Sequence, residues 1–236
     1  MHLLSNQKSL MDRLPLYEPM TVLTDVLITI FGLWFGRIIC MWFTVRLMEV
    51  HFHFANYFFL VAFTAFTGAL FHVFYPEYET IRDFLWKLTM LGMALSVFAM
   101  LMGTVYYFLP FETVQWVKWV IVAIILSFVI WFYFDHDLMN AVRLYIPSTI
   151  LVMIVMAYGW LGKGDLGAAW VFGGFLVTLF GASFTVTKIG FHQHFNHNDI
   201  FHIIQIVGMY LIYRGGMLLS NYGMKYGLKR AISIPI

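Results

Sequence analysis

Residues 192–219, HQHFNHNDIFHIIQIVGMYLIYRGGMLL, decide the fold. From Asn198 onward they form an apolar run of the length a helix needs to cross a hydrocarbon core, about 20 residues. Four of the chain's nine histidines, His192, His194, His197 and His202, crowd the mouth of that run. A histidine at membrane depth is expensive unless it is paired, metal-bound or facing water, so it marks a functional site by default.

The remainder of the chain repeats the apolar pattern. Hydrophobic residues make up 61% and charged residues 11%, against about 45–50% and about 25% in a soluble domain. The mean hydropathy of +0.81 leaves too little polar surface for a water-soluble globule. Seven stretches are long and apolar enough to span, near 20–43, 55–75, 84–109, 115–134, 141–161, 166–187 and 198–219. Charged and turn-forming residues mark the joints: Arg46 to Glu49, Tyr75 to Glu79, Pro110 to Glu112, Asp135 to Asp137, Gly162 to Asp165 and His192 to His197. Loops this short make neighbouring helices antiparallel. The expected fold is therefore all-α, an integral membrane seven-transmembrane helix bundle. It forms one domain over 1–236, with an N-terminal segment 1–19 and a C-terminal tail 220–236. Strand-length alternation is absent, which argues against a barrel.

Several function classes drop out. A net charge of +2 with no basic run argues against nucleic acid, and the expected partner is a membrane lipid. The single cysteine, Cys40, excludes an internal disulfide. Residues 1–19 lack the continuous apolar core of a signal peptide, so the first span is expected to serve as its own insertion signal. Positive charges divide five against six between the two faces. Lys225, Lys229 and Arg230 in the tail tip the C-terminus toward the cytoplasm.

Seven spans fix relative sidedness. The end of span two, the start of span three and the start of span seven share the N-terminal face. His72, Asp83 and the Asn198–Asp199–His202 group therefore lie at one face and one depth and are expected to converge. Asn198 and His202 are i,i+4 neighbours on a helix, and Gln205 extends the same polar stripe. Asp199, at i,i+3 from His202, is placed to hold that imidazole in one tautomer. Two or three imidazoles with an open position describe a catalytic zinc site, with Asp83 accepting the proton of a zinc-bound water. Each residue also has a plainer role: His72 as a hydrogen-bonded core residue, Asp83 as a charge complementing a helix N-terminus, the loop histidines as solvated groups, Lys87 and Arg37 as snorkelling cations.

A histidine late in span two, an acid at the start of span three and a histidine motif opening span seven resemble the superfamily that joins alkaline ceramidases and adiponectin/progestin receptors. The eleven-residue separation of His72 from Asp83 matches the ceramidase branch, and His202 within NDIFH matches the second histidine of its HxxxH motif. The first histidine of that motif is Asn198 here, and the serine four residues before the span-two histidine is Gly68, with Thr67 one step off. Glu18 to Asp25 stands where ceramidases gather acidic residues for calcium and is left outside the expected site. The resemblance implies a zinc-dependent intramembrane hydrolase of a lipid amide or ester. Zinc would sit on His72, His202 and a third ligand, His197 or His194. Asp83 would be the base, Thr67 or Asn198 would steady the oxyanion, and Asp199 and Gln205 would support the ligands. The alternative is a non-catalytic, lipid-binding or receptor-like protein of the same fold with a degraded metal site.

Overall fold

The computed structural model describes residues 17–74, 78–190, 192 and 195–222. Among them are seven long helices: α1 (Pro19–Arg46), α2 (Glu49–Val73), α3 (Glu79–Phe108), α4 (Phe111–Phe134), α5 (Leu138–Ala157), α6 (Leu166–Thr187) and α7 (His197–Leu218). Each is long and apolar enough to cross a membrane. The helices overrun the expected spans at several ends, α2 beginning at Glu49 and α3 at Glu79. The polar turns that flank an apolar core can be helical too, because backbone bonding does not stop where hydrocarbon stops. Pro110 is the N-cap of α4 and divides it from α3, as its missing N–H favours.

The helices close a ring in which α1 packs on α2 and α7, α2 on α3, α3 on α5, α5 on α6 and α6 on α7, while α4 leans on α3 from outside. The outward side chains of α4 are apolar, among them Trp116, Trp119, Ile124, Leu126 and Ile130. The α6–α7 seam runs through glycine. A Cβ at Gly208 would lie 2.3 Å from Thr178 Oγ1, and one at Gly174 would lie 2.7 Å from the Gly208 carbonyl. Small residues allow such backbone approach, which is how helices associate where lipid removes the hydrophobic drive.

At the end of α5 the chain takes one π-helical turn over Tyr158–Gly162. Asp165 then caps α6, accepting from the Gly167 N–H at 2.9 Å and from the Tyr107 hydroxyl at 3.0 Å. The opposite face, where α1, α3, α5 and α7 begin and α2, α4 and α6 end, carries the candidate site. The C-terminal charges Lys225, Lys229 and Arg230, on which the orientation rested, lie outside the described residues.

Candidate functional site

The site is assembled on the first two turns of α1 and α7. Asn196 caps α7 with a reciprocal box: its side chain accepts from the backbone N–H groups of Asn198 and Asp199, and Asp199 accepts from the Asn196 N–H at 2.7 Å. Such a box satisfies orphan donors of the first turn and fixes the entry of the chain. The other Asp199 oxygen accepts from Thr21 Oγ1 at 2.9 Å, joining α7 to α1. One turn further in, Thr24 Oγ1 lies 2.9 Å from His202 Nδ1 and donates its proton to the Thr21 carbonyl at 3.1 Å. A hydroxyl whose proton is committed accepts from the imidazole. With the Thr24 proton on the Thr21 carbonyl, the ring N–H falls on Nδ1 and Nε2 keeps a lone pair. That nitrogen faces Asp25 Oδ1 at 3.6 Å.

Asp25 is the least expected member. Its side chain is only 7% exposed, and among the described residues no group donates a hydrogen bond to its carboxyl. Gly68 on α2 makes room for it: a Cβ there would stand 3.2 Å from Asp25 Oδ2.

A strap closes the adjoining corner. Before α1, the Tyr17 and Glu18 N–H groups donate to the carbonyls of Val73 and His72 at the end of α2. The Glu18 carboxylate pairs with His72 Nδ1. That hydrogen bond holds the Glu18 carboxyl below its ordinary range; the charges of His72, Arg82 and His197 act in the same direction, and burial opposes them. Arg82 on α3 donates to the carbonyls of Phe71 and Phe74 and lies 4.0 Å over the Phe71 ring. Its charge is spent on the end of α2.

These groups border a cavity of about 640 Å³. Asp25, His72, Arg82, Asp83, Asn198, His202 and Gln205 line one end, while Val61, Ala65, Met90, Met93 and Ile146 line its deeper wall. His72, Asp83 and His202, drawn from three helices, thus border one space, and so do Asn198 and Gln205.

Other expected roles change. Asp83 is more than half exposed and pairs with Lys87 at 2.7 Å, the i,i+4 partner on its own helix. Thr67 donates within α2 and accepts from Thr89 at 2.9 Å, tying α2 to α3, while Thr64 and Gly68 form the cavity wall there. Asp199 does not hold the His202 tautomer. The cap and Thr21 occupy its carboxylate, and the group that meets His202 Nδ1 is Thr24. His197 opens α7 half-buried, near enough to Glu18 to act on its charge. His194 lies outside the described residues.

Zinc has a weak claim on this donor set. Among the described residues no three His, Cys, Asp or Glu side chains stand at the spacing of one ion. His72 is turned to Glu18, and position 198 offers an amide. The described residues as arranged do not fit a preformed catalytic zinc, which keeps three strong ligands.

Glu18, Thr24 and Asp25 were singled out in the sequence but left outside the expected site. The signal for Asp25 was present, since an acid inside an apolar run calls for the same explanation as a histidine there.

A family model described as a family of unknown function, DUF6962, matches residues 20–221. The chain belongs to this family. The match runs from the first turn of α1 to beyond α7, so Asp25, His72 and His202 fall inside it and Glu18 falls just before it. A search of curated proteins finds no match.

Proposed function

We propose that the protein is an integral membrane protein that holds one lipid-sized amphiphile between its helices. The cavity carries this reading. Its volume of about 640 Å³ sits within the roughly 300–1,000 Å³ of small-molecule sites. Its polar groups gather at one end, and its walls are apolar beyond. Along α2 the lining extends from His72 to Tyr57, roughly 22 Å at 1.5 Å per residue, a length suited to a long acyl chain. The outward apolar surface of α4 and the seven span-length helices support membrane embedding. With the head group near Asp25, His72 and His202, the chain would run between α2, α3 and α5.

The test is retention of a ligand. Native mass spectrometry of the gently purified protein should show one lipid-sized adduct. Ala182→Trp, which narrows the cavity from α6, should remove it without broadening the thermal transition. An adduct that survives the tryptophan, or no adduct with any amphiphile, would count against the cavity as a binding site.

A second reading, the hydrolase of a lipid amide or ester, is favoured by one observation: His202 and Asp25 border the end of the cavity where a head-group carbonyl would rest. His202 would take a proton from water there, as a general base must lie within reach of the proton it abstracts. Turnover of N-acyl amides or lysolipid esters that disappears in His202→Ala would support it. Inhibition by a chelator would return zinc to the mechanism.

A further inference from the structure

Asp25 Oδ1 and His202 Nε2 face each other at 3.6 Å, too far apart to hydrogen-bond directly to one another. With Asp25 ionised and the ring N–H on Nδ1 beside the Thr24 hydroxyl, both atoms are acceptors. Two facing lone pairs inside a bundle are unfavourable unless a donor fills the gap. Buried polar groups are otherwise hydrogen-bonded, and a departure from that rule calls for an explanation.

The other charges of this end are engaged. Glu18 holds His72, Lys87 holds Asp83, Arg82 is spent on the carbonyls at the end of α2, and Asp199 is taken by Thr21 and the Asn196 backbone. His197 adds its charge beside Glu18. The unfilled demand of the cavity is thus for a donor, and a cationic one suits a carboxyl best. A phosphate or carboxylate head would meet Asp25 with like charge.

We infer that the amphiphile of this cavity carries a protonated primary amine, whose N–H groups bridge Asp25 Oδ1 and His202 Nε2. An ammonium has three donors and no acceptor, so two N–H groups meet this pair and the third is left for Asn198 or Gln205 on the same lining. The inference rests on the lipid-cavity reading and names the head group that the cavity selects.

The test uses the full-length protein in nanodiscs and four probes with one alkyl chain: hexadecylamine, hexadecanol, palmitate and hexadecyltrimethylammonium. Occupancy is read by native mass spectrometry. The primary amine should bind at least about tenfold more tightly than the alcohol, since bonds to a charged group are the stronger class. It should also exceed the quaternary ammonium, which has charge but no N–H. Asp25→Asn should reduce the amine to the level of the alcohol while alcohol binding persists, which shows that the variant is folded. His202→Gln should lower amine binding by a smaller factor.

Equal binding of amine and alcohol, or an amine preference that survives Asp25→Asn, overturns the inference and leaves the cavity reading standing. Failure of all four probes to bind removes both. Stoichiometric zinc that is lost in Asp25→Asn and blocks amine binding overturns it in favour of a metal between the same two atoms.

Discussion

Thr24→Val tests the hydrogen-bond arrangement on which the site depends. Valine has nearly the shape of threonine and replaces one hydroxyl by a methyl. Thr24 is 2% exposed, and its oxygen lies 2.9 Å from His202 Nδ1, placed to accept the ring N–H. The His202 side chain is 13% exposed, so water is a poor substitute. Removing the acceptor would cost about 1–3 kcal/mol if the buried N–H stayed unsatisfied, and less to the extent that the proton moves to Nε2. The Thr21 carbonyl that also loses a partner lies within α1 and keeps its place in the helical ladder, so its share is small. Thermal unfolding in detergent should show the loss, and Thr24→Ser should restore the stability. Nitrogen NMR of the histidine rings gives a second, independent readout. In the native protein the His202 proton should be on Nδ1; in the valine variant it should redistribute toward Nε2, where Asp25 can accept it. A valine variant as stable as the native protein, with the His202 proton still on Nδ1, would show that Thr24 does not set the tautomer. The donor requirement at Asp25 would then lose its basis.

Glu18→Gln should destabilise the protein at neutral pH. Because the Glu18 carboxyl is held below its ordinary value of 4.5, its contribution is complete above that value and is lost as the pH falls through the lower, folded-state value. The gap in melting temperature between variant and native protein should therefore close in acid, and a gap that widens there would contradict the Glu18–His72 pairing. Gly208→Ala would place a methyl 2.3 Å from Thr178 Oγ1 and should cost about 1–3 kcal/mol through overpacking. Gly173→Ala, whose new carbon meets nothing within 4 Å, should be neutral or stabilising in the same melt; equal losses at both positions would mean that α6 and α7 are not in glycine contact.

The helices were legible because the apolar runs are long and their joints polar, and the common cavity of His72, Asp83, Asn198, His202 and Gln205 followed from counting which ends share a face. The roles within the cavity were harder to read. Asp199 stands three residues after Asn196, the spacing of a capping box, and Asp83 stands four before Lys87, the spacing of a helical ion pair. Both acids thus had local partners written beside them, and the structure gives them those partners. Asp25 has no basic residue one turn away in either direction, and the groups that surround it come from α2 and α7. Its neighbour His202 is 177 positions distant in the chain, and no local periodicity reports that α1 and α7 close the ring. Read along α2 alone, Gly68 was only a mismatch at a position where the ceramidase resemblance expects a serine. Across the bundle it is the space that the Asp25 carboxyl occupies. Within an apolar span, the acid whose own helix supplies no partner is the one whose partner must be sought on another helix, or in a ligand.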